Sequence, residues 1–325
     1  MNDKISKIID RRLSIAPMMD HTDKHFRYLM RLLTKHSILY TEMITTGALI
    51  FGNRKKFLDY NSNEHPIAIQ LGGNNPKELL ECSIMAENEG YNEVNLNIGC
   101  PSNRVQNGKF GVCLMTEKEL VAECVNNISS NIKIPVSIKT RIGIDNHDSY
   151  NFLSDFVKTV SIAGCETFII HARKAILKGL SPKENRNIPP LNYERVYKIK
   201  KEFPNLNIII NGGFTKLDQI KSQLNYVDGV MIGRAAYQNP FLLSKLDNLI
   251  FNKSEVSITR QNILEQYKIY IEKQIREGVS IKNLTRHIIG LYQGQPGARK
   301  YRQILSGVTP KNHDQFFEEI IKTVT

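Results

Sequence analysis

Short apolar runs alternate with helix-patterned segments along most of this chain, and that alternation restricts the fold more than any other feature. Eight runs stand out, at 13–17, 38–43, 65–71, 94–98, 135–140, 167–171, 207–211 and 228–232. Between them, 76–89, 117–128 and 150–163 carry helical spacing, the first opening on Pro76 as helices often do. Phe26, Leu29, Leu32 and Leu33 mark another helix, with Asp20 or Thr22 placed to cap it. Strands that alternate with helices pair in parallel through right-handed crossovers. Eight of them predict an α/β fold of the (β/α)₈ TIM barrel type. A doubly wound open sheet is the alternative. The absence of a GxGxxG turn after the first run argues against it.

In such a barrel the carboxyl ends of all strands converge on one mouth. Met18, Gln70, Asn97, Cys100, Lys139, His171 and Asn211 each lie at or just past such an end. Singly, each has an ordinary explanation, as a loop cap or a satisfied core histidine. Seven on one rim point to a site. The stretch Asn95-Leu96-Asn97-Ile98-Gly99-Cys100-Pro101 is central to it. Asn95 and Asn97 share one strand face. Gly99 permits unusual backbone angles and Pro101 holds Cys100 extended, so a stiff loop presents the thiol. A buried, inert cysteine is the competing reading.

Two successive strand ends are glycine-rich, Asn211-Gly212-Gly213 and Gly233-Arg234. Such loops let backbone N–H groups approach an anion, and barrels often bind phosphate there. A phosphorylated cofactor is therefore expected across the mouth. A lysine beside it, Lys139, suits a flavin, whose reduced form carries negative charge. No Ser/His/Asp triad and no cluster of carboxylates suggests other chemistry or a metal site.

Composition narrows the partner. No apolar run approaches the ~18 residues of a membrane span, and the first residues lack a signal segment, so a cytoplasmic protein is expected. The five cysteines form no CxxC pair, which fits reduced thiols. Lys and Arg number 44 against 32 Asp and Glu, a net charge of +12. That excess favours a polyanion, nucleic acid first. Basic residues Arg173, Lys174, Lys178, Lys183 and Arg186 crowd the insert after the sixth run. Beyond residue 251 the alternation stops. Segments 259–276 and 281–293 read as helices, the second with Ile281, Leu284, Ile288 and Leu291 on one stripe. Arg299 and Arg302 follow, three apart and on one helical face. A small all-helical C-terminal domain with a basic surface is expected.

These residues carry a resemblance to the tRNA-dihydrouridine synthases. The matching pieces are Ala16-Pro17-Met18, Tyr40-Thr41-Glu42-Met43, Gln70-Leu71-Gly72, the Asn95 to Pro101 stretch, Lys139-Thr140-Arg141, Ile170-His171-Ala172-Arg173, Asn211-Gly212-Gly213 and Gly233-Arg234. Pro101 to Gly108, Gly179 to Arg186 and Gly297-Ala298-Arg299 look like the A-type subfamily in particular. The resemblance implies an FMN-binding catalytic barrel over 1–250 and a helical tRNA-binding domain over 251–325. It implies FMN on Pro17, Met18, Met19, Gln70, Lys139, His171, Asn211, Gly212, Gly213, Gly233 and Arg234. NADPH would reduce the flavin, hydride would pass to C6 of a uridine, and Cys100 would protonate C5. Asn97 would hold the flipped uridine, while Lys183, Arg186, Arg299 and Arg302 would bind tRNA. The target uridines would be 20 and 20a of the D-loop. A monomer without protein partners is expected.

Two other classes fit parts of the pattern. A flavin reductase of a free pyrimidine, similar to dihydroorotate dehydrogenases, explains the barrel but leaves the basic helical domain idle. A tRNA chaperone explains the basic surface but leaves the rim residues idle.

Overall fold

The computed structural model describes residues 9–253, 258–307 and 317–320. The extreme N-terminus, read above as lacking a signal segment, and parts of the helical region at 254–257, 308–316 and 321–325 lie outside the described residues.

Eight parallel strands close into a barrel in chain order, each paired with the next and the last with the first. They are β1 Leu13–Ile15, β2 Ile38–Thr45, β3 Ile67–Gly72, β4 Glu93–Ile98, β5 Val136–Arg141, β6 Thr167–His171, β7 Asn207–Asn211 and β8 Gly229–Ile232. The expected barrel and its strand ends are thus present. Alternation splits each strand between two environments. Val94, Leu96 and Ile98 of β4 face outward into the large buried core shared with the surrounding helices. Ala16, Ile38, Tyr40, Ala68, Ile169, Ile209 and Met231 form a separate apolar plug inside the barrel. Two residues further along, the same inward face turns polar, from Ala68 to Gln70, Ile169 to His171 and Ile209 to Asn211. The mouth is simply the next inward layer above the plug.

The helix Lys24–Leu33 is capped by Asp23, whose carboxylate accepts from the N–H groups of His25 and Phe26. Neither Asp20 nor Thr22 fills that role. Asp20 has φ +62°, and the Thr22 hydroxyl accepts from Met18 N–H at 3.0 Å. The helix Arg260–Arg276 forms close to its expected bounds. The expected helix over 281–293 is instead a short Ile281–Thr285 followed by turns with i to i+3 bonds. Its apolar stripe is nevertheless buried. The helix breaks because the chain there is pulled onto the barrel. Gly290 packs so closely on Tyr237 and Gln238 that a Cβ would lie 2.6 Å from the Gln238 carbonyl oxygen. Arg286 reaches Asp23 at 2.5 Å, and His287 reaches it at 3.0 Å.

The helical region docks beside the first barrel helix. The Tyr28 ring stacks on Tyr270 with centroids 3.8 Å apart, and Tyr270 O–H meets His25 Nδ1 at 2.8 Å. Tyr301 donates to the Ile288 carbonyl at 2.7 Å, which ties the helix Ala298–Ser306 to the turns below it. Among the described residues, no helix is long and apolar enough to cross a membrane.

Candidate active site at the barrel mouth

Cys100 sits just past β4 on a loop braced from three sides. The Asn97 side-chain oxygen accepts the N–H groups of Gly99 and Cys100 at 3.1 and 2.9 Å. Arg141 Nε donates to the Gly99 carbonyl at 2.9 Å. Val112 N–H donates to the Cys100 carbonyl at 3.1 Å, next to Gly111 at φ +64°, where a Cβ would lie 2.7 Å from that same carbonyl oxygen. The thiol is partly exposed and donates to Ser102 Oγ at 3.4 Å. Burial pushes the thiols of Cys82, Cys124 and Cys165 up to about 12, so those three are inert packing groups. Cys100 differs from them by its partial exposure at the mouth.

Lys139 Nζ lies 3.3 Å from the side-chain oxygen of Asn211, whose amide nitrogen donates to the Met231 carbonyl. Burial, then the neighbouring Arg141 guanidinium, lowers the Lys139 ammonium to about 8. Burial, with Arg141, Lys139, Arg173 and Arg234 around it, pushes His171 well below its ordinary range, so its imidazole is neutral at pH 7. Beside it the chain needs glycine. A Cβ on Gly212 would lie 2.7 Å from Leu191 and 3.2 Å from His171, with φ +137°. Gly213 follows at φ +76°. Met18 abuts Gly233, so the loops after β1 and β8 meet. Pro17 is partly buried there and Met19 is exposed.

The insert after β6 folds back over this rim. It is built around buried Asn185, which accepts from Ile176 N–H at 2.8 Å and donates to the Ile176 carbonyl at 2.8 Å. Arg234 donates to Asn187 Oδ1 at 2.6 Å and to the Arg186 carbonyl at 3.1 Å. Arg173 donates to the carbonyls of Asn187 and Pro189, while its Nε is buried without a hydrogen-bond partner. Among the described residues, Lys139, Arg141, Arg173, Arg186 and Arg234 form no ion pair with a carboxylate. Five cations, an orphaned guanidinium N–H and two glycine turns make a cradle for an anion. A cofactor with a phosphate tail, such as FMN, fits that donor set. Among the described residues, no group of side chains is arranged to hold a metal ion.

The structure therefore gathers Gln70, Asn97, Cys100, Lys139, His171, Asn211, Gly212, Gly213, Gly233 and Arg234 at one mouth, with Arg186 beside them. Lys183 is exposed on the insert, and Arg299 and Arg302 are exposed on the helix Ala298–Ser306. None of these three makes a hydrogen bond or ion pair with a mouth residue. Sequence reasoning gave Arg141 no role, although it ties β5 to the Cys100 loop and, through the Lys174 and Asn185 carbonyls, to the insert. It also passed over Glu93 and Ser137, both fully buried. Their signal was parity, since Glu93, Asn95 and Asn97 share one strand face.

Comparison with known proteins bears on this geometry. The family model described as dihydrouridine synthase matches residues 14–325. A Shewanella oneidensis protein named tRNA-dihydrouridine(20/20a) synthase is 55% identical over 94% of this chain and 91% of its own. Proteins of the same name are 56% identical in Vibrio vulnificus, over 91% of this chain and 90% of the relative. In Escherichia coli K12 the figures are 53%, 91% and 86%. Among solved structures, a 2-naphthoyl-CoA reductase complex superposes with a TM-score of 0.55 at 12% identity, covering 72% of this chain and 49% of that one. That last likeness speaks for the fold alone.

Proposed function

The chain belongs to the dihydrouridine synthase family, and from that premise we propose that it reduces uridine to 5,6-dihydrouridine in tRNA, at positions 20 and 20a of the D-loop. One observation carries the reading. A partly exposed thiol, two amides and a lysine share a mouth with arginines that, among the described residues, no carboxylate neutralises. A redox cofactor with an anionic tail and a polyanionic substrate both suit such a place.

Bound at the mouth, FMN would supply hydride chemistry for C6 of the uracil ring, with NADPH as the source of reducing equivalents. The chain's own residues do the rest. Gly212, Gly213, Gly233 and Arg234, with the free Nε of Arg173, hold the phosphate. Lys139 and His171 hold the flavin ring and its substituents, with Gln70 at the pyrimidine edge. Pro17, Met18 and Met19 close the side next to β1. Asn97 orients the uracil. Cys100 gives its proton to C5, so the former double bond gains one hydride and one proton. A thiol suits this task because its proton is transferable near neutral pH.

A stacked base cannot reach the mouth, and extruding it costs a few kcal/mol. Contacts to the tRNA body offset that cost. We assign them to Lys183 and Arg186 on the insert and to Arg299 and Arg302 in the helical region. The barrel, 1–250, then carries the chemistry, and 251–325 carries much of the tRNA binding. Work on tRNA places the enzyme in the cytoplasm.

An absorbance experiment tests the reading. Purified protein loaded with FMN should bleach with NADPH and recover its colour without oxygen when tRNA is added. Recovery with free uracil or uridine, and none with tRNA, would transfer the site to a small-molecule reductase.

A further inference from the structure

Glu93, Asn95 and Asn97 alternate along β4 and face the barrel interior together. Glu93 is fully buried at the base and paired with Arg11. Its Oε1 accepts from the Tyr40 hydroxyl at 2.7 Å and also from the Ser137 hydroxyl. Ser137 Oγ accepts from Asn95 Nδ2 at 2.8 Å. Asn95 Oδ1 accepts from Gln70 Nε2 at 2.7 Å. Gln70 Oε1 accepts from Asn97 Nδ2 at 2.8 Å. Asn97 Oδ1 accepts from the N–H groups of Gly99 and Cys100. The column climbs four residues of β4, about 13 Å at a strand's rise per residue.

Both ends of this column have a fixed hydrogen-bonding sense. An ion-paired carboxylate only accepts, and a backbone N–H only donates. Every hydroxyl and amide between them is thereby held to one orientation. Donation runs without a break from the Cys100 loop down to Glu93. Turning over any single amide would set donor against donor, or acceptor against acceptor, along a column whose Gln70, Asn95, Ser137 and Glu93 are buried.

We infer that Glu93 is a positioning residue for the reaction, acting through Ser137 and Asn95 on Gln70, Asn97 and the turn that presents Cys100. Glu93 itself touches no substrate. It determines which end of the Gln70 and Asn97 amides faces the cofactor and the base. The inference rests on the proposed function for what the mouth does, and on geometry alone for how the mouth is held.

Two hydroxyls that donate to the same Glu93 oxygen make the test. Ser137→Ala removes the one inside the column, and Tyr40→Phe removes the one outside it. In anaerobic stopped-flow, Ser137→Ala should slow flavin reoxidation by tRNA roughly ten- to hundredfold, as misplacement of reacting groups does. Flavin reduction by NADPH should stay within about twofold, which marks an unaltered half-reaction. Tyr40→Phe should leave both rates within the same margin. Glu93→Gln, whose amide can donate upward, should repeat the Ser137→Ala pattern. Equal slowing in Ser137→Ala and Tyr40→Phe, or slowing in neither, overturns the inference. A wild-type protein inert toward tRNA overturns the proposed function instead. In that event the alkylation rate of Cys100 by iodoacetamide, mapped by peptide mass spectrometry, decides the column. It should change in Ser137→Ala and not in Tyr40→Phe, and equal rates in the two variants reject the positioning role.

Discussion

The side-chain oxygen of Asn97 lies 2.9 Å from the backbone nitrogen of Cys100, so the amide proposed to orient the base also anchors the turn that carries the proposed acid. Removing the acid should therefore leave the turn intact. Cys100→Ala is expected to bind FMN and tRNA as the wild type does. Dihydrouridine formation should fall by about 10²- to 10⁴-fold, the usual contribution of a positioned proton donor. Single-turnover assays measure this, and wild-type turnover would remove Cys100 from the mechanism.

Lys139 should make flavin binding depend on pH. Burial brings its ammonium to about 8 in the cofactor-free protein. As pH rises through that value the positive charge at the mouth is lost, and FMN should bind less tightly. In Lys139→Met the affinity should be lower at pH 7 and nearly flat between pH 7 and 9. The stability linkage has the opposite sign. The folded-state value is depressed, so the burial cost is full below about 8 and shrinks towards the ordinary lysine range. Stability of the cofactor-free protein should therefore gain from Lys139 between those limits. Fluorescence titration and urea melts at several pH values check both parts.

Asp23 joins the barrel to the helical region. It caps the helix Lys24–Leu33 and takes Arg286 and His287. Burial alone would raise its carboxyl. The His287 hydrogen bond, the Phe26 N–H and Arg286 outweigh that and hold it well below the usual carboxylate range. Its contribution should be complete above about pH 4, the unfolded-state value, and fade as the solution becomes more acidic. Asp23→Ala should cost about 2–3 kcal/mol, combining a lost cap with a broken, partly buried pair. Urea unfolding at pH 7 measures it, and a change below ~0.5 kcal/mol would mean that the junction is held elsewhere.

The exposed pair on the helix Ala298–Ser306 leads to a salt experiment. If Arg299 and Arg302 each meet a phosphate, Arg299→Ala with Arg302→Ala should weaken tRNA binding. It should also flatten the slope of log K against log salt by about 0.7–0.9 per lost contact. Catalysis on saturating tRNA should be nearly unchanged. An unaltered slope would detach these arginines from the tRNA.

The barrel was legible because its signal is local and repeated. Each apolar run announces a strand, and parity predicts that Gln70, Lys139, His171 and Asn211 meet at one rim. What parity alone missed was the depth of the polar interior. Glu93 and Ser137 look like surface residues in a linear reading, because nothing local reveals that Arg11 and Tyr40, far away in the chain, satisfy Glu93, or that Glu93 and Asn95 satisfy Ser137. The break after Thr285 was hidden for a related reason. The stripe from Ile281 to Leu291 is helical in spacing, but close contact of Gly290 with the Tyr237 and Gln238 backbone decides the path. The Asp23 cap was missed because Asp20 and Thr22 are equally good cap residues. Only the fold shows Thr22 already engaged with Met18.

The most direct test of the whole account is nucleoside mass spectrometry of unmodified tRNA after incubation with the FMN-loaded protein and NADPH. The account predicts new dihydrouridine, mapping to positions 20 and 20a and formed far more slowly with Cys100→Ala. Flavin that binds and is reduced, with no dihydrouridine in any tRNA supplied, would contradict it.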